Sequence, residues 1–194
     1  MREAEVRRKT GETDIRVRLN LDGKGKYKVN TGIGFLDHML SLFAKHGLFD
    51  LTLKTRGDLV VDDHHTVEDV GITLGEAIRE ALGKKEGIRR FGTSFIPLDE
   101  SLGMVSIDLS GRSACSFDAP LKGKIGGFDA ELIEEFFIAV SRGGSLTLHA
   151  KLFYGRNAHH MAETLFKAFG RALDEATQLD KRIEGVPSTK ERLQ

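Results

Sequence analysis

The sequence predicts an α+β fold built from one unit, three strands, helix, strand, helix, written twice. Three observations carry this. Period-two alternation gives way to helical spacing and returns, in the same order in each half. A block HHxxE opens the last helix of each half, His64 to Glu68 and His159 to Glu163. No linker or low-complexity segment separates the halves, so they are expected to pack on each other. The expected boundaries are residues 1–88 and 89–180 for the two repeats, with a polar tail over 181–194; together they form one compact domain.

Residues 3–30 read as three short strands, with Ile15, Val17 and Leu19 on one face and breaks at Gly11 and at Asp22–Gly23. GFLDHMLSLFAKHG changes to helical spacing, with Phe35, Met39, Leu42 and Phe43 as its stripe and Gly47 as a C-cap. FDLTLKTRG alternates again as a strand. HHTVEDVGITLGEAIREALG is a helix buried along Val67, Val70, Leu74, Ile78 and Leu82, with Asp62 or Asp63 as its cap. In the second half FGTSFIPLDE, MVSIDLSG and SACSFDAP are strands. AELIEEFFIAVS is a helix, SLTLHAKLFYG a strand, and HHMAETLFKAFGRALDEATQL a long helix.

Composition narrows the function. The 194 residues hold 29 Lys plus Arg against 29 Asp plus Glu, so bulk positive charge cannot hold a nucleic acid. With only two Tyr and no Trp, no stacking pattern for single strands appears either. No apolar run approaches a membrane span, so neither nucleic acid nor membrane is an expected partner. The single cysteine, Cys115, excludes an internal disulfide and a Cys-based zinc knuckle. The N-terminus is charged from residue 2 and has no signal-peptide core, which makes a cytoplasmic location the default.

Four of the seven histidines stand in the two pairs. On a helix the first His and the Glu of HHxxE share a face and can bind one cation. Adjacent histidines point about 100° apart, so one pair serves two ions better than one. One site would take His64, Glu68 and His160; the other would take His159, Glu163 and His65. His38 and Glu135, in the first helix of each half, would complete them in an order the spacing leaves open. Imidazole and carboxylate without thiolate suit Mn²⁺, Fe²⁺ or Zn²⁺, and open octahedral positions favour Mn²⁺. His46, at a helix C-terminus where the dipole favours its charge, and His149, on a strand surface, have no partner in this pattern.

GIGFLDHML, DDHHTVEDVG, NAHHMAETLFKAFGRAL and PSTK together resemble the imidazoleglycerol-phosphate dehydratase family of histidine biosynthesis, over essentially the whole chain. The length leaves no room for the phosphatase domain of the bifunctional form. The resemblance implies repeats of the ribosomal protein S5 domain 2-like type, with helices between two four-stranded mixed sheets. It implies trimers that assemble into a 24-mer, and two Mn²⁺ per active site at a subunit interface. One ion would be bound by His38, His65, His159 and Glu163, the other by His64, Glu68, His160 and Glu135. Many members carry His where this chain has Glu135, and Glu134 is its neighbour.

The resemblance also places phosphate contacts on Arg90, Arg112, Lys167, Ser188, Thr189 and Lys190, with the tail ordered over the phosphate. It gives catalytic roles to Glu12, His65 and Glu163, Glu12 being the proton-transferring acid/base in contact with substrate. The implied lyase reaction removes water from imidazoleglycerol phosphate. The hydrogen removed lies beside no carbonyl, so direct elimination would need a very strong base. If Mn²⁺ sits at both ring nitrogens, the ring can become an imidazolate and expel the hydroxyl, and Glu12 then takes the acidified proton. The rival readings are a dinuclear metallohydrolase and a non-catalytic protein with structural interface metals.

Overall fold

The computed structural model describes residues 2–190, 192 and 193. Met1 of the first repeat and Glu191 and Gln194 of the tail lie outside the described residues. The first half runs β1 (Glu3–Lys9), β2 (Thr13–Asn20), β3 (Tyr27–Asn30), α1 (Gly34–His46), β4 (Asp50–Gly57) and α2 (His64–Leu82). The second runs β5 (Phe91–Leu98), β6 (Ser101–Asp108), β7 (Ala114–Asp118), β8 (Lys124–Ile125), β9 (Phe128–Asp129), α3 (Leu132–Gly144), β10 (Thr147–Tyr154) and α4 (Ala158–Thr177). The sheets have orders β1-β2-β4-β3 and β5-β6-β10-β7, the same topology twice. In each, the third strand pairs parallel with the fourth and the other pairs are antiparallel.

The alternation decides which face is buried. Ile15, Val17 and Leu19 of β2 are fully buried beneath the helices, as expected. Helices α1 and α2 lie on the first sheet, α3 and α4 on the second; α2 packs on α3 and α1 on α4. The helix layer therefore lies between the sheets, around a cluster of Phe43, Phe136, Phe137, Phe166 and Phe169. Among the described residues no helix is long and apolar enough to cross a membrane.

Three local features differ from the sequence expectation, while Gly47 is the C-cap of α1 as expected. The buried stripe of α1 is Leu36, Met39, Leu40 and Phe43, while Phe35 and Leu42 are only half-buried. Phe35 instead packs on Phe128 and against the edge of the His159 ring. The β8–β9 hairpin that supplies Phe128 is an insertion the repeat does not predict. Gly47 caps α1 in an ordinary right-handed conformation, and Leu48 takes the left-handed one. What demands glycine there is space: a Cβ on Gly47 would meet the Gly170 carbonyl oxygen at 2.8 Å. His46 is pushed toward its neutral form, first by partial burial and then by Lys167 and Arg171.

Candidate metal centre and phosphate cleft

The close approach of Gly47 and Gly170 sets α1 and α4 side by side and parallel, since the N-terminal parts of both also meet. Asn157 caps α4, its side-chain oxygen accepting from the His159 and His160 amides. This aims His159 and Glu163, one turn apart, at His38 on α1. His38 Nε2 and His159 Nε2 lie 2.8 and 2.9 Å from the same Glu163 oxygen, Oε1. Lys167 Nζ holds the other oxygen at 2.6 Å. Burial pushes the Glu163 carboxyl up, but Lys167, His38 and His159 pull it further the other way, down to about 2. Two imidazole nitrogens converging on one carboxylate oxygen form a three-residue group that could hold a divalent cation.

The second histidines of the pairs point elsewhere. The rings of His64 and His65 stand at 85°, those of His159 and His160 at 87°. His65 Nδ1 lies 3.0 Å from Asp58 Oδ2 and 3.8 Å from Glu12 Oε2. His160 Nδ1 lies 2.9 Å from Glu100 Oε2. Asp58 and Glu100 respectively favour the charged form of these two rings more than burial disfavours it. In both, Nδ1 is engaged by the protein. His64 Nε2 stands 4.0 Å from Glu68 Oε2, the Asp62 carboxylate accepting from the His64 amide. Asp63 holds the N-cap position of α2 without a side-chain bond, and the side-chain bond to the first helical amide comes from Asp62.

Among the described residues the two expected four-ligand sets do not come together within one chain. His65 is not grouped with His38, His159 and Glu163, nor His160 with His64 and Glu68. Glu135 joins no ligand group among the described residues. Its helix nonetheless runs parallel to α2, Gly71 meeting Phe136–Ala139 and Gly75 meeting Val140–Gly144. That register puts Glu135 level with Glu68, as His38 is level with Glu163. Glu134 lies on the side of Cys115, whose thiol burial and then Glu134 raise to about 11.

The residues expected to contact a phosphate form a separate feature. Arg90, Ser110, Arg112, Ser188, Thr189 and Lys190 line one cleft of about 800 Å³, joined by Arg192. The Arg90 guanidinium donates to both oxygens of Asp108 and to the Pro187 carbonyl, which ties the tail down. Lys167 is not in this cleft; it stays on Glu163.

Comparison with known proteins gives the arrangement its family. Residues 31–173 match the model of imidazoleglycerol-phosphate dehydratase. The chain belongs to this family. It is 62% identical to the imidazoleglycerol-phosphate dehydratase of Acetivibrio thermocellus over 190 residues, 97% of each chain. It is 59% identical to that of Caldanaerobacter subterraneus over 191 residues, 98% of each. The crystal structure of the enzyme from Staphylococcus aureus superposes with a TM-score of 0.83 at 41% identity, covering 92% of this chain and 99% of that one. That from Pyrococcus furiosus gives 0.85 at 40%, covering 97% and 100%.

The reading of the sequence missed Asp58, Glu100, Asp108 and Arg192. Asp58, Glu100 and Asp108 sit in or beside turns, outside the HHxxE blocks. One signal was available for Glu100: a glutamate precedes the second strand of each half, Glu12 before Thr13 and Glu100 before Ser101.

Proposed function

We propose that the chain dehydrates D-erythro-imidazoleglycerol phosphate to imidazoleacetol phosphate in histidine biosynthesis, at a site assembled between copies of itself with two Mn²⁺. A cytoplasmic setting goes with this reading. The observation that carries it is a distance. The Arg90 amide donates to the Ala176 carbonyl at the far end of α4. His160 and Ala176 are therefore separated by about 24 Å of helix at about 1.5 Å per residue. The β5–β6 hairpin gives a second ruler: Glu100 is at its turn, Arg90 at its open end, and eight residues of β5 span about 26 Å at roughly 3.3 Å each. The substrate's ring and phosphorus are joined by five bonds of about 1.5 Å each, so one molecule cannot reach both ends of a chain. A second copy brings its phosphate cleft to this copy's histidines, and its HHxxE blocks can complete the ligand sets. The exposed Phe95 and Phe153, rings 5.7 Å apart on the outer face of the second sheet, offer apolar surface to such a copy.

The donor set fits Mn²⁺: imidazole and carboxylate only, with His38, His159 and Glu163 already converged. His38, His65, His159 and Glu163 would hold one ion; His64, Glu68, His160 and Glu135 the other. Bound at the two ring nitrogens, such ions would stabilise the ring's loss of a proton. Arg90, Arg112, Ser188, Thr189 and Lys190 hold the phosphate, so that binding energy far from the chemistry orients the reacting carbons. The departing hydroxyl takes up the proton the ring gives up and leaves as water; Glu12, exposed at the β1–β2 turn beside His65, then takes the C–H proton and returns it to the ring, and the enol becomes the ketone. No carboxylate is shared between two ligand groups among the described residues, which tells against a bridged hydrolase. The test is to strip the protein with chelator, add back Mn²⁺, and follow the enol product by its absorbance in alkali. Mn²⁺-dependent product is expected; its absence from fully reloaded protein overturns the reading.

A further inference from the structure

Glu12 and Glu100 occupy one place in the duplicated unit. Each is the last residue before the second strand of its half, and each faces the second histidine of its HHxxE block. Their surroundings differ. Glu100 Oε1 accepts from the Asn157 amide at 2.8 Å, the Arg156 amide at 3.2 Å and the Ser101 hydroxyl at 3.1 Å. Its Oε2 accepts from His160 Nδ1 at 2.9 Å. Both oxygens are committed, and the side chain is 24% exposed. Glu12 is 55% exposed and 3.8 Å from His65 Nδ1, beyond hydrogen-bond reach. In the first half Asp58, from the loop after β4, engages His65 Nδ1 instead.

We infer that Glu100 is the positioning residue of His160, fixing its ring by the Nδ1 bond so that Nε2 faces the cation, while Asp58 does this for His65 and leaves Glu12 free. This rests on the metal centre proposed above. An imidazole whose Nδ1–H is bonded to a carboxylate has one tautomer and one orientation, and is the more basic ligand at Nε2. Glu100 also fixes the amides of Arg156 and Asn157, and Asn157 caps the helix that carries His160. One carboxylate thus sets both the ring and the helix end beneath it. Glu12 has no such ties to break when it accepts a proton.

The test is a Mn²⁺ titration of stripped, assembled wild-type, Glu100→Ala, Glu100→Gln and Glu12→Gln proteins, read by the electron-spin signal of free Mn²⁺. Histidine ¹⁵N shifts are read on the metal-free proteins. Glu100→Ala is expected to weaken half the ions by about 10–100-fold, and to turn His160 from a single Nδ1–H tautomer into a mixture. Glu100→Gln has one amide oxygen for two sets of donors; with that oxygen on the Arg156 and Asn157 amides its NH₂ faces Nδ1, so this variant too is expected to lose affinity and the single Nδ1–H tautomer, and it decides the matter if the alanine variant does not fold. Glu12→Gln is expected to bind as wild type. Wild-type affinity in both Glu100 variants, or an unchanged tautomer in Glu100→Ala, overturns the inference while leaving the metal centre standing. A wild type that binds no Mn²⁺ overturns the metal centre itself, and this inference with it.

Discussion

The two ends of α4 are built in opposite ways. At its N-terminus, His159, His160 and Glu163 project from one regular helix, each aimed by its position along the turn. At its C-terminus, the proposed phosphate cleft is made of loop and tail: Ser110 and Arg112 after β6, Arg90 in a left-handed conformation before β5, and Ser188–Lys190 beyond the helix. The first end is held by helix packing and a cap. The second is held by Arg90, which ties Asp108 to the tail. The difference teaches that a site demanding fixed metal geometry is set on rigid elements. An anion site can instead be closed by a strap, because charge-assisted hydrogen bonds from separate loops can converge on its oxygens.

The largest expected effect is at the chemistry beside the metal end. Glu12→Gln should lower kcat by about 10²–10⁴-fold, with Mn²⁺ and phosphate binding retained. Unchanged turnover would remove Glu12 from the scheme. At the phosphate end, Arg112→Ala should act mainly on substrate binding. Loss of one charged donor corresponds to about 1.5–3 kcal/mol, roughly 10–150-fold in KM. A fall in kcat with KM unchanged would move Arg112 out of the binding cleft. The smallest effect is on acid stability. The folded Glu163 carboxyl is depressed from 4.5 to about 2. Its contribution is therefore complete above about pH 4.5 and lost as pH falls toward 2. In metal-free protein Glu163→Gln should flatten that limb of a urea-melting pH series, by at most about 3 kcal/mol. An unchanged limb would show that His38, His159 and Lys167 do not stabilise the carboxylate.

The same contrast explains what could be read from the chain alone. The succession of strands and helices along the chain and the shared face of His159 and Glu163 follow from periodicity, because each depends on residues within one turn or one pleat. The α1 stripe was misplaced because Phe35 packs on Phe128 of an inserted hairpin, a tertiary contact that spacing cannot show. Asp69 was illegible as anything but a helix residue. It is buried and bonded to Thr13 and Arg8, and so clamps the turn that carries Glu12 onto α2. Asp58 and Glu100 were missed because their role depends on which ring they meet, not on their neighbours in sequence. The phosphate residues came from resemblance: a lone Arg112 looks like any surface cation until Ser188 and Lys190 are folded against it.

The central claim is that the two ends of one chain belong to different active sites. Subunit mixing tests it directly. Protein carrying His159→Ala, with its phosphate cleft intact, is dissociated and reassembled with protein carrying Arg112→Ala and Lys190→Ala, with its histidines intact. Each alone should be nearly inactive. Activity should return on mixing, because some sites then pair intact histidines with an intact cleft, and it should peak at intermediate ratios. Verified mixed assemblies that stay inactive at every ratio would contradict the claim.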